Sequence, residues 1–330
     1  MTIRAKRQAS KGHRKQHFVP VCYLKAWCDP NTPKSQTPYV WIFDKDGTNA
    51  RRKAPENILH ETDMYTVKMP DGARDLVLER GLHQLETKFS RIRKHKLEPR
   101  RLLDNDEHVL LCAFIAAAQT RTPAMRQHQK EQWERPLHMM QQMMKWAETA
   151  TPEQKEQAAT LVPPGTSDRG LDYDQVKAFS ENPIQNMLIP IVQIVTSQLC
   201  RLNIAVFETD DDIGFITSDI PCVWFDAEAY KRPPLYRSPG LIYESIEVTL
   251  PISPRQCICL NRRGISGYVK APTIIVDEFN KRTRFSADRQ FVVSSNQSKT
   301  IWFEPGVEPD DSWDKLHANE KGSETSVGKK

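Results

Sequence analysis

The run Val109–Ala118, VLLCAFIAAA, is the most apolar stretch of the chain and limits most strongly how it can fold. It is too short to cross a bilayer and is bounded by His108 and Gln119, so it reads as a helix buried in a protein core. Asp104 followed by Glu107 has capping-box spacing, in which each side chain satisfies an orphan amide of the first turn. Pro123 removes a helical hydrogen bond and pushes Thr122 out of the helical region, which places a break just after Arg121. Beyond the break Trp133, Leu137, Met140 and Met144 recur at helical spacing on one face. Asp104–Trp146 is therefore the stretch around which the rest is organised. A cation, Arg121, stands at the end of its buried part.

The flanking sequence supplies the other elements. Leu78, Leu82, Leu85, Phe89 and Ile92 form a second helical stripe, with Glu86 at its edge and the basic run RIRKHK at its end. Residues 148–170 read as an exposed connection with a short polar helix before Pro163. Asn182-Pro183 opens a helix with a wide apolar face from Met187 to Leu199 and a bend at Pro190. Tyr39–Phe43, Arg51–Lys53 and a segment around Met64–Val67 read as a small antiparallel sheet, with a turn at Asp44–Gly47. From Leu202 the apolar period becomes two. Strands are expected at Leu202–Glu208, Ile213–Thr217, Cys222–Phe225, Ile246–Leu250, Gln256–Leu260 and Phe291–Ser294, with a helix over Val276–Asp288. Asp210-Asp211-Asp212 reads as a hairpin turn whose three acids could bind a cation. The class is α+β: a small N-terminal antiparallel sheet, a helical middle over about 74–200, and a C-terminal antiparallel sheet with one helix over about 202–304. Residues 16–304 are expected to form one domain between a disordered basic arm, 1–15, and a disordered tail, 305–330.

With 38% hydrophobic and 27% charged residues and a mean hydropathy of −0.61, neither a membrane span nor a secretory leader is expected. A cytoplasmic protein is expected. Seven scattered cysteines fit reduced thiols, and Cys257 and Cys259 alternate within a core strand. His13, His17, Cys22 and Cys28 lie close together, but their spacing matches no common zinc pattern. Charge is uneven. Residues 1–15 and 88–101 each net +6, so the rest of a chain of net charge +5 carries −7. An acidic body with two basic patches points to a polyanion, nucleic acid first; a solubilising tail and a helix end that favours cations would give the same pattern.

Four constellations are more particular than a core requires. Gln16-His17 precedes Pro20 and Tyr23-Leu24, and a histidine can move protons or bind phosphate. Arg121, in Gln119–Pro123, offers a planar fork for carboxylate or phosphate; it either clamps a ligand or pairs a buried acid such as Glu86. The proline break, opening the helix end toward solvent, favours the ligand. In Thr217–Pro221, Ser218 could be a nucleophile or phosphate contact and Asp219 a base or metal ligand; a simple turn between strands explains them equally well. Asn280 and Arg284 share a helix face and could reach a ligand or cap the sheet. No Walker loop, dinucleotide-binding glycine fingerprint, nucleophile elbow, His-Glu-x-x-His or paired Cys-x-x-Cys is present.

Taken in order, these stretches resemble the bacterial domain-of-unknown-function 4238 family. The resemblance rests on His17, Pro20, Tyr23 and Leu24; on the hairpin YVWIFDKDG; and on a helix with a central Glu86. It continues through Arg121–Pro123, Thr217–Pro221, Leu250–Pro254 and a helix bearing Asn280 before the last strand. It covers roughly residues 16–298 and departs from the family at Ile220, where a polar residue is usual. It implies no activity, but it gives a reason to treat His17, Arg121, Asp219 and Asn280 as one site. The leading expectation is a hydrolase for a phosphate-containing or nucleic-acid substrate. His17 and Asp219 would be catalytic, Gln16, Arg121, Ser218, Asn280 and Arg284 would bind substrate, and a divalent metal could take part. The rival is a non-catalytic nucleic-acid- or partner-binding protein, and a third account makes the polar residues a buried structural network. Convergence on an open cleft favours the enzyme, convergence under the core favours the network, and dispersal removes both.

Overall fold

A computed structural model describes residues 15–29, 31–33, 35–160 and 170–305. Arm residues 1–14 and tail residues 306–330 lie outside the described residues, as does His13. Lys15, assigned from sequence to the arm, already belongs to a strand.

The chain opens with β1 (Lys15–His17), α1 (Val21–Leu24), β2 (Val40–Asp44), β3 (Arg51–Lys53), β4 (His60–Thr62), β5 (Val67–Lys68) and β6 (Arg74–Asp75). The helical middle follows as α2 (Val77–Ile92), α3 (Asn105–Thr120), α4 (Pro123–Thr149), α5 (Pro152–Thr160), α6 (Tyr173–Glu181) and α7 (Pro183–Leu199). The last part holds β7 (Asn203–Glu208), β8 (Thr217–Ser218), β9 (Val223–Asp226), β10 (Ile246–Ser253), β11 (Gln256–Asn261), β12 (Gly267–Lys270), α8 (Thr273–Ser286) and β13 (Gln290–Val293). The protein is thus α+β, as its sequence indicates.

Local chemistry sets the helix ends. Asp104 accepts from the Glu107 amide and Glu107 reaches back to the Asp104 amide, completing the capping box of α3. Helix α3 stops at Thr120, and Thr122 caps α4, whose first residue is Pro123. Arg121 sits between the two helices.

Two larger sheets carry nine of the thirteen strands among the described residues. The larger has the order β12-β7-β11-β10-β9, antiparallel except for β12, which runs parallel to β7. Every residue of its central strand β11 is buried, because both faces are covered. Ile258 and Leu260 join the main core with residues of α2, α3 and α7, while Cys257 faces Phe215, Val276 and Phe279 beneath α8. The smaller sheet has the order β3-β2-β13-β8. This corrects the expected N-terminal unit: β2 pairs with β13, and Phe43 stacks on Phe291 at 5.2 Å. The segment around Met64–Val67 is not its third strand. The small N-terminal pairings are β1 with β4 and β5 with β6.

Ile213–Ile216 is not the expected strand. Its backbone is held by α8 instead: Asn280 Oδ1 accepts from the Ile216 amide at 2.9 Å and its Nδ2 donates to the Gly214 carbonyl at 2.8 Å. Gly214, at φ +72°, lies so close to the Pro254 carbonyl that a Cβ would collide with it. Asp211 accepts from the Ile213 and Gly214 amides and pairs with Lys299 at 2.9 Å, so this acid is already engaged.

Candidate functional site

The residues of the His17–Leu24 stretch divide between fastening and facing outward. Tyr23, fully buried, bonds Thr217 Oγ1 at 2.8 Å and the Pro251 carbonyl, which ties α1 to both sheets. Trp27 donates to the Phe215 carbonyl at 2.9 Å. Gln16 is buried as well: its Oε1 accepts from the Tyr65 amide and its Nε2 donates to Thr66 Oγ1. Gln16 therefore has its amide satisfied inside the protein. His17 points the other way, as strand alternation requires.

His17 lines a cleft of about 890 Å³ between the β1–α1 segment and α2. Lys15, Cys22, Lys25 and Glu56 border one side, and His83, Glu86, Ser90, Arg91, Lys94 and His95 the other. The two basic patches of the sequence meet here, represented by Lys15 and by Arg91, Lys94 and His95. The α2 contribution is a polar stripe, Glu79, His83, Glu86 and Ser90, spaced at four, three and four, with Lys94 and His95 following just past the helix end. It runs beside the apolar stripe with the same period. That periodicity was available in the sequence and would have pointed to these residues.

Arg121 lies deeper, only 1% exposed, and gives one N–H to Glu86 Oε1 at 2.7 Å. Its Nε and Nη2 make no hydrogen bond among the described residues. Glu86 stands between this guanidinium and the cleft. The proline break does not open Arg121 to solvent, contrary to the sequence expectation: Tyr65 covers its backbone, donating to the Arg121 carbonyl at 3.3 Å. The alternative destination, a pair with Glu86, is the one found.

The His17 imidazole has a defined tautomer. Its Nε2 lies 3.3 Å from the Glu56 carbonyl, which can only accept, so Nε2 carries the proton. A neutral ring then keeps its Nδ1 lone pair. Burial, and next the neighbouring His60, whose ring centroid is 5.2 Å away, hold the His17 pKa below the ordinary value of 6.5. The His60 pKa is also lowered, by burial and then by Lys15. Both folded pKa values being depressed, their contribution to stability is complete above pH 6.5 and is lost as acid protonates the pair. We expect the urea midpoint to fall on acidification below pH 6.5, and less so in His60→Asn; equal acid sensitivity in the two proteins would contradict this. Burial raises the Cys22 pKa, so at neutral pH the cleft presents a thiol and not a thiolate.

The remaining sequence candidates are elsewhere. Asp219 accepts from three backbone amides, Asp288, Arg289 and Gln290, at 2.9, 2.7 and 3.1 Å, and burial pushes its carboxyl up against their pull. Ser218 bonds the backbone of Ile220 at both ends. Asn280 is the fastener described above, and Arg284 donates to the Trp302 carbonyl at 3.0 Å. His17 and Arg121 therefore share the cleft region, whereas Gln16, Ser218, Asp219, Asn280 and Arg284 hold backbone or neighbouring side chains. Among the described residues no group of three or more His, Cys, Asp or Glu is arranged to hold a metal ion.

Comparison with known families settles the kinship. A model describing a protein of unknown function, DUF4238, matches residues 15–298. The chain belongs to this family. No curated protein and no solved structure matches it. The DUF4238 match ends just after β13 and so takes in both sheets, the helical middle and every wall of the cleft. Among the described residues of this DUF4238 protein, no helix is long and apolar enough to cross a membrane.

Proposed function

We propose that the cleft binds a phosphate-bearing ligand and hydrolyses it, with His17 as the proton acceptor. The observation that carries this reading is the meeting of His17, Glu86 and otherwise uncommitted cations around one open cleft. Much of the 88–101 patch is spent on structure. Arg93 donates to the Cys22 and Tyr23 carbonyls, Lys96 pairs with Glu107, and Arg100 with Glu208. Arg91 and Lys94 form no ion pair among the described residues, and both are exposed at the cleft. With Lys15 across the cleft, which also forms no ion pair among the described residues, they are the cations available to meet phosphate. The cleft volume falls within the roughly 300–1,000 Å³ of small-molecule sites. Among the described residues no Phe, Tyr or Trp lines it, so it offers phosphate and backbone contacts in place of base stacking.

In the proposed step, His17 Nδ1 takes a proton from water as the water oxygen attacks phosphorus. The bond to the leaving oxygen breaks, and that oxygen acquires a proton from solvent. Glu86, pinned by Arg121, orients the water, and Arg91 and Lys94 hold the non-bridging oxygens. The test is turnover of a chromogenic phosphodiester and of a duplex oligonucleotide, with and without added magnesium. Wild type should turn over at least one of them. His17→Gln should lose at least about a hundredfold in rate while still folding, as expected for a general base. The wild-type rate should fall as acid protonates His17, below pH 6.5. Turnover unchanged in His17→Gln would remove the histidine from the mechanism. Binding without turnover favours the second reading, a non-catalytic phosphate- or nucleic-acid-binding protein, which the same free cations support.

A further inference from the structure

Strand β3, the outer edge of the smaller sheet, leads directly into the cleft wall. It ends at Lys53, and Glu56 and Asn57, which border the cleft, follow within four residues. The edge therefore begins no more than about 11 Å from the Glu56 backbone, whose carbonyl accepts the His17 N–H. Here β2 and β3 place three side chains on one face. Trp41 stands opposite Arg52 in the register, and Tyr39 lies two residues before Trp41 on the same side. The two rings meet edge to face at 6.3 Å. The Arg52 guanidinium lies over both, 5.0 Å from the Tyr39 centroid and 5.9 Å from that of Trp41. Farther along this face Phe43 is buried with Phe291 and Trp302 in a small core; Trp41 packs on its rim and stays half-buried, as does Tyr39. Arg51 is engaged by Asp44 and the Asn49 carbonyl. Arg52 and Lys53 are exposed and form no hydrogen bond or ion pair among the described residues.

We propose that the ligand of the cleft is a single-stranded nucleic acid whose chain continues past Glu56 onto this edge, where a base stacks on Arg52, Trp41 and Tyr39. The inference rests on the phosphate-binding reading of the cleft. The two surfaces complement each other: the cleft supplies cations and, among the described residues, no aromatic ring but histidine, whereas the edge supplies rings and cations together. A guanidinium held flat over two rings keeps its outer face open to a base and its N–H fork open to a phosphate. Because the arginine is already placed, little further ordering is needed on binding. In a duplex the bases are stacked on one another, so the platform selects unpaired bases.

Fluorescence anisotropy of the full chain tests this, with labelled oligothymidylate and oligouridylate of about 15 nucleotides and a DNA duplex of the same length. Wild type should bind at least one strand about tenfold more tightly than the duplex, the effect of one stacked base. Trp41→Leu and Arg52→Ser should each weaken strand binding about tenfold and affect duplex binding much less. Trp41→Phe, which keeps a ring, should retain most of the affinity. Arg52 is exposed, so its replacement leaves the core intact even if Trp41→Leu loosens it. Arg91→Glu/Lys94→Glu should weaken both ligands, since both occupy the cleft. Cations on an edge strand can also serve only to block pairing with another sheet. In that case Trp41→Leu and Arg52→Ser would bind the strand as wild type does, which would overturn the proposal and leave the cleft assignment standing. Equal wild-type affinity for strand and duplex would do the same. A wild type that binds neither would remove both.

Discussion

Arg121→Ala is expected to cost roughly 3–5 kcal/mol of folding stability, the range for removing one partner of a buried ion pair. The guanidinium is buried, and its loss leaves the Glu86 carboxylate, whose side chain is 18% exposed, without a counter-charge and above a void. Arg121→Lys should be intermediate, because an ammonium keeps the charge but not the planar fork. The double variant Arg121→Met/Glu86→Leu should recover much of the loss, since replacing both charges with apolar groups removes the stranded acid. Equilibrium urea unfolding of the four proteins checks this. A near-neutral Arg121→Ala would mean that the pair contributes little and that the arginine is free to serve a ligand.

Asp219→Ala should be comparably severe. Three backbone amides, those of Asp288, Arg289 and Gln290, end on its two carboxylate oxygens where α8 turns into β13. Each amide left without an acceptor costs about 1–3 kcal/mol, so a total of roughly 3 kcal/mol or more is expected. Asp219→Asn should recover only part of this, because its NH₂ group would face amide donors. Thermal unfolding and hydrogen exchange at residues 288–290 are the readouts. Wild-type stability in Asp219→Ala, with loss of turnover, would return Asp219 to the catalytic role its sequence context suggested.

What could be read in advance follows from how far each signal reaches along the chain. The capping box at Asp104 and Glu107, the stripe from Leu78 to Ile92 and the break at Pro123 are decided within a few residues, and each stands where the sequence places it. The pairing of β2 with β13 joins residues about 250 apart, and no local pattern chooses between that partner and a nearer hairpin. Strand β12 escaped notice because it is a four-residue edge, half exposed, without a clear alternation. The polar residues were conspicuous in sequence for two different reasons that only geometry separates. Asp219 and Asn280 are short acceptors that satisfy distant backbone, 69 and 64 residues away. His17 is a ring on an outward strand position beside a cleft. The cleft itself joins β1, α1 and α2, so its walls appear as one site only after folding, although the polar stripe of α2 marks one of them.

The phosphate-binding role of the cleft is tested most directly by the salt dependence of binding to a labelled DNA duplex, in wild type and in Arg91→Glu/Lys94→Glu. Both positions are exposed, so the double variant should fold normally. Wild-type affinity should fall steeply with salt, as neutralised phosphates release their counterions, and the variant should bind more weakly with a slope shallower by about 2. No binding by wild type at low salt, or equal affinity and slope in the two proteins, would contradict the assignment of the cleft.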